Sequence, residues 1–111
     1  MNKEEKSILD EVNKELFIRG IDKRFELHPF FPALRIFELQ IDQLRTARIL
    51  TGCRKLKMFI KKQIGSPWGE TIEVTDVGEY TGRGWLKRLV KDAADVVEWW
   101  EGKNKPKGNT K

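Results

Sequence analysis

The spacing of apolar and polar positions divides the chain into four helical segments and two strand-like ones. Asn2 and Glu5 stand at capping-box spacing, which predicts a helix starting near Lys3. Ile8, Leu9, Val12 and Leu16 continue it as a stripe at helical spacing, and Gly20 is a natural stop. Phe17 and Ile18 lie off that stripe. Residues 23–28 (Lys-Arg-Phe-Glu-Leu-His) alternate, as a short strand does. The two prolines at 29 and 32 then make 28–32 irregular.

Residues 32–51 read as a second helix. Pro32 takes the favoured first-turn position, Leu, Ala, Arg, Glu and Gln fill the interior, and Gly52 supplies a C-cap. Leu34, Ile36, Phe37, Leu39, Ile41, Leu44, Ala47, Ile49 and Leu50 surround most of its circumference, the pattern of a buried central helix. The alternative is a strand over 34–41 pairing with 23–28 as a hairpin, because Arg24-Phe-Glu-Leu27 resembles Arg35-Ile-Phe-Glu-Leu39. Residues 53–64 read as a third helix. Cys53, Leu56, Phe59, Ile60 and Ile64 fall on one side, and Arg54, Lys55, Lys57, Lys61 and Lys62 on the other. Residues 65–69 are a loop, 71–75 alternate as a strand, and Gly78, Gly82 and Gly84 mark a turn-rich connection.

The last helix spans 85–101, with Leu86, Leu89, Val90, Ala93, Val97 and Trp100 as its stripe and Trp85, Val96 and Trp99 on its flank. Its charges oppose the helix dipole. Arg83, Lys87, Arg88 and Lys91 crowd the start, and Asp92, Asp95, Glu98 and Glu101 the end. Such charges answer to other elements of the fold or to a partner. The expected fold is mainly α: a small compact helical domain of about four helices with a minor β component. The alternative is α+β with a β-hairpin at 23–28/34–41. One domain over 1–102 and a flexible basic tail over 103–111 complete the expected layout.

Composition narrows the classes. In 111 residues, 39% are hydrophobic and 10% aromatic, enough for one core and too apolar for a disordered chain. No apolar run reaches membrane-span length, and no leader follows Met1, so a cytoplasmic location and no membrane partner are expected. A single Cys excludes an internal disulfide, and with a single His it argues against structural zinc. No metal and no cofactor are expected.

Charge supplies the functional lead. The net +5 is concentrated in residues 43–69, which hold Arg45, Arg48, Arg54, Lys55, Lys57, Lys61 and Lys62 and no acidic residue. The rest of the chain is close to neutral, apart from Lys103, Lys105, Lys107 and Lys111 in the tail. Residues 43–62 have a helix–turn–helix-like layout: Ala47 inside the first helix, Gly52 at the turn, and a basic second helix able to enter a major groove. The layout departs from the usual one, because Gly52 stands five residues after Ala47 and polar residues do not open the second helix.

These features predict a small nucleic-acid-binding protein, a DNA-binding regulator or accessory factor. Arg45, Arg48, Arg54, Lys55, Lys57, Lys61 and Lys62 would contact DNA or RNA. Trp68, Trp85 and Trp99 are candidate base-stacking platforms or partner anchors. The alternative is a protein-interaction module or inhibitor that docks on an acidic protein surface through Trp anchors and a basic patch.

No catalytic residues are assigned. Cys53 with His28 would need an orienting partner, and Cys53 falls on an apolar helix side. Asp92, Asp95 and Glu98 share a helix face but alternate with cations. Thr81-Gly-Arg-Gly84 lacks the Lys-Ser or Lys-Thr of a phosphate loop. An enzyme is not expected. The charge window is the decisive feature: a binding patch exists only if acids from elsewhere do not fold in among its cations.

Overall fold

The computed structural model describes residues 2–28, 35–63 and 70–102. The expected basic tail, the 65–69 loop with Trp68 and the irregular stretch after His28 fall outside them. Helix α1 (Lys3–Ile18) leads into strands β1 (Glu26–Leu27), β2 (Ile36–Gln40), β3 (Arg45–Leu50), β4 (Lys55–Gln63) and β5 (Glu70–Glu79), and helix α2 (Trp85–Glu101) closes the chain. The strands form one antiparallel sheet in the order β1-β2-β3-β4-β5. The fold is therefore α+β, with two helices and not four, which corrects the mainly α expectation. The helix expected over 32–51 is a β-hairpin, and the basic helix expected over 53–64 is mostly a strand. No helix–turn–helix exists at 43–62. The alternative hairpin is the arrangement found, in shorter form: Glu26 pairs with Glu38 and Leu27 with Phe37.

The physical reason is that these short apolar runs satisfy two periods at once. Sorted by a period of two, Phe37, Leu39, Ala47, Ile49 and Leu56 all fall on one face and are buried. Two turns cut the chain where a helix would have continued. Asp42 Oδ1 accepts the backbone N–H groups of Leu44 and Arg45 at 2.8 and 2.9 Å, an Asx turn that starts β3. Thr51–Arg54 forms the next turn, where Arg54 takes a left-handed conformation (φ 54°).

The helix ends are legible in local chemistry. The Asn2–Glu5 capping box is present, with bonds of 2.8 and 3.0 Å. At the other end Gly20 (φ 78°) makes a Schellman stop: its N–H donates to Phe17 and that of Ile21 to Leu16. Ile21 and Leu16 are both buried, which is the apolar contact this motif requires.

Both helices pack on one face of the sheet. Ile8, Val12 and Leu16 of α1 and Leu89, Ala93, Ala94, Val97 and Trp100 of α2 join Phe25 and the inward strand residues in a single core. Full burial of a side chain such as Phe37 or Leu89 contributes about 1.5–3 kcal/mol. The helices run parallel. Near their N-termini, Arg54 pairs with Glu4 and covers the Trp85 ring at 3.9 Å. Near their C-termini, Arg19 Nη1 donates to Asp95 and Glu98 of α2 at 2.7 and 2.9 Å, and its Nε to Glu15 of α1 at 2.9 Å.

The reversed charges of α2 thus answer to the fold itself. Asp92 accepts the Tyr80 hydroxyl at 2.7 Å, Glu101 meets Lys23 at 3.4 Å, and Arg88 donates to the carbonyls of Arg83 and Thr81. Arg19 also brings a cation to the negative ends of two parallel dipoles.

Candidate functional site on the open face of the sheet

Among the described residues, no element covers the sheet face opposite the helices. Antiparallel register places Ile36, Glu38 and Gln40 of β2, Thr46, Arg48 and Leu50 of β3, Lys55, Lys57, Phe59 and Lys61 of β4, and Ile72, Val74 and Asp76 of β5 on it. Across the strands one row reads Glu38–Arg48–Lys57–Asp76, and the next reads Gln40–Thr46–Phe59–Val74. The first row is a ladder of opposite charges. Arg48 donates to Glu38 at 3.1 Å, and Lys57 meets Asp76 at 3.1 Å. Arg48 also lies over the Phe59 ring, 4.5 Å from its centroid.

Beside this ladder apolar side chains stand among Gln40, Thr46 and Lys61. Leu44, at the β2–β3 turn, is 53% exposed, Ile72 59% and Val74 48%. With Phe59, the cations Arg48 and Lys61 and polar side chains of β2 and β3, they line a shallow hollow of about 510 Å³, open to solvent. Leu44 is held there because its carbonyl accepts the Lys61 N–H at 2.7 Å, extending the β3–β4 pairing into the turn. Large apolar side chains exposed together, rimmed by polar ones, mark an interaction surface.

Much of the acid-free window is matched by acids that the fold brings to it. Among the described residues, carboxylates from outside the window meet Arg45 (Asp42), Arg48 (Glu38), Arg54 (Glu4), Lys57 (Asp76) and Lys62 (Glu73), all within 3.1 Å. The cations also diverge. Arg48, Lys55, Lys57 and Lys61 lie on the open face. Lys62 lies on the opposite face, and Arg45 reaches over the buried Trp100 ring at 5.4 Å. Arg54 serves the helix N-termini. Its side-chain bond to Glu4 holds that carboxyl below its usual pKa against the opposing effect of burial. Likewise the Arg45 guanidinium, helped by the Leu44 N–H, holds Asp42 low.

The aromatic candidates separate too. Trp85 is half-buried beneath Arg54, and Trp99 is 63% exposed beside Trp100, with ring centroids 6.4 Å apart. Cys53 sits in the exposed β3–β4 turn, while His28 is buried beside Glu38. Asp92, Asp95 and Glu98 are occupied by Tyr80, Lys91 and Arg19. Among the described residues no group of His, Cys, Asp and Glu has the arrangement of a metal site, and no helix is long and apolar enough to cross a membrane.

Leu44, Phe59, Ile72 and Val74 were not among the expected site residues. The signal was present: Ile72 and Val74 alternate with Thr71, Glu73 and Thr75, and one of the two faces of such a strand can remain uncovered. Comparison of the chain with protein-family models, with curated proteins and with solved structures finds no match.

Proposed function

We propose that this chain is a protein-interaction module and that the open sheet face is its binding surface. The carrying observation is the gathering of Leu44, Phe59, Ile72 and Val74 around one hollow, next to Arg48 and Lys57, which carboxylates already match. A partner protein with apolar side chains gains by covering that hollow, and the Glu38–Arg48–Lys57–Asp76 ladder forms part of a polar rim. Nucleic acid is the weaker fit. Phosphate binding draws on cations free to release counterions, and most of the cations expected to do this are bound to acids within the fold.

The reading is tested by placing a photo-crosslinking amino acid at position 74 in cells of the source organism, identifying the linked protein, and measuring its affinity in purified form. Ile72→Ser with Val74→Ser is expected to weaken binding by about tenfold or more. DNA and RNA titrations at low and moderate salt are expected to give no saturable binding. The reading is overturned by nucleic-acid affinity that falls steeply with salt, disappears in Lys57→Glu with Lys61→Glu, and ignores the two serine substitutions.

A further inference from the structure

Strand β5 closes the sheet on one side, and no described segment pairs with its outer edge. The other edge is only the two-residue β1, whereas β5 runs for ten residues. Long open edges are templates for another strand. The pairing pattern fixes which groups of β5 are offered. Lys61 donates its N–H to Leu44, so the backbone groups of Lys61, Phe59 and Lys57 point toward β3, and those of Met58, Ile60 and Lys62 toward β5. Their partners Thr75, Glu73 and Thr71 therefore point inward, and Ile72 and Val74 direct their N–H and C=O outward. The same two residues carry their side chains onto the open face. Main-chain hydrogen bonding and apolar contact are thus presented together.

Charge selects the partner. Residues 70–79 contain Glu70, Glu73, Asp76 and Glu79 and no cation. Glu73 and Asp76 each meet one lysine of β4, yet their side chains stay 53% and 68% exposed. A second copy pairing along this edge would bring Glu73 and Asp76 near identical acids, which disfavours self-association. Asp76 shares the open face with Ile72 and Val74, and Glu73 lies on the other. From the outward backbone, the apolar pair Ile72 and Val74 and the carboxylate of Glu73 on the opposite face, we infer that β5 accepts an extended segment of a partner protein by strand addition, with apolar residues on one side and Lys or Arg on the other. The apolar side chains lie beside Ile72 and Val74, and the cations beside Glu73. This rests on the protein-interaction reading and specifies how the partner is held.

The test uses the full chain and a capped peptide of alternating Lys and Val, matched to β5 in length. Binding is followed by anisotropy, and amide exchange by NMR. The peptide is expected to bind saturably and to slow exchange of the Ile72 and Val74 amides by about tenfold or more. A Glu–Val peptide is expected not to bind. Val74→Pro removes an outward N–H without touching the β4 pairing, and is expected to abolish binding while leaving the circular dichroism spectrum unchanged. Should that variant fail to fold, the exchange measurement on the wild-type chain decides. Strand addition is overturned if the Lys–Val peptide does not bind, if it binds with Ile72 and Val74 still exchanging freely, or if the Glu–Val peptide binds equally. A crosslinked partner that depends on Ile72 and Val74 side chains but leaves those amides unprotected would sink strand addition alone. The interaction reading would survive that result.

Discussion

Replacing Arg19 by Met probes the joint between the two parallel helices. The substitution keeps most of the apolar stem and removes the guanidinium. Three charge-assisted hydrogen bonds are lost, to Glu15, Asp95 and Glu98 at 2.7–2.9 Å. Arg19 is 18% exposed, and the carboxylates are 33%, 44% and 23% exposed. Each contact is therefore partly screened and falls near the upper end for surface pairs, about 0.5–1 kcal/mol. The three carboxylates are also left facing one another at the negative ends of two dipoles. The expected loss is about 2–3 kcal/mol at neutral pH. At about 4 °C per kcal/mol for a domain of this size, Tm falls by roughly 8–12 °C.

A pH series separates this cause from simple loss of packing. Burial would raise the Asp95 carboxyl, but Lys91 and Arg19 hold it below its ordinary value of 3.8. A depressed folded pKa gives stability that is present above the ordinary value and is lost as pH falls through the folded one. Below about pH 4 the wild type therefore loses part of the advantage that Arg19 confers. The variant's carboxylates repel one another, so protonation relieves them. The gap between the two proteins, measured by urea unfolding from pH 7 to pH 3, should narrow with acid. Lys91 remains in the variant, so Asp95 keeps part of its dependence. A gap under about 0.5 kcal/mol at neutral pH, or a full-sized gap unchanged at pH 3, would refute the electrostatic account.

Three further outcomes follow from the fold. A methyl group at Gly78 would stand 2.7 Å from the Tyr80 hydroxyl oxygen, and Tyr80 is buried and held by Asp92, so Gly78→Ala should cost about 1–3 kcal/mol in denaturant unfolding. Tyr80 is the chain's single tyrosine; burial first, and then Asp92, push its pKa well above the ordinary 10, so the folded protein should show no phenolate absorbance at pH 10.5 and should lose stability as pH rises past 10. Arg54→Gly and Arg54→Ala both lose the Glu4 pair and the Trp85 contact, but only glycine tolerates φ 54° freely, so melting curves should favour the glycine variant by roughly 1 kcal/mol.

The chain's local instructions were legible where one short segment carries both signal and consequence. The Asn2–Glu5 box, the stop at Gly20 and the stripes of both helices depend only on near neighbours in sequence, and each stands in the fold. The strands of the middle region were not legible in the same way. Arg45–Leu50 and Lys55–Gln63 are compatible with a helix period and a strand period, and the choice rests on pairing with the neighbouring strands and on the helices that cover one face. Asp42 illustrates the point: inside a helical reading it is an ordinary polar residue, while its carboxylate closes a turn.

Charge shows the same division. The sequence by itself determined that residues 43–69 contain seven cations and no acid, and that α2 carries its charges against its dipole. Only the tertiary structure decided what those charges meet. Period-two geometry sends neighbouring cations to opposite faces, and antiparallel pairing brings Glu38, Asp76 and Glu73 beside Arg48, Lys57 and Lys62. Coulomb attraction acts over a few ångströms in space and is indifferent to distance along the chain. A window that is strongly basic in one dimension is therefore spread over both faces in three, with Arg48 and Lys57 set in a ladder of opposite charges, and what the sheet leaves uncovered beside that ladder includes Leu44, Phe59, Ile72 and Val74.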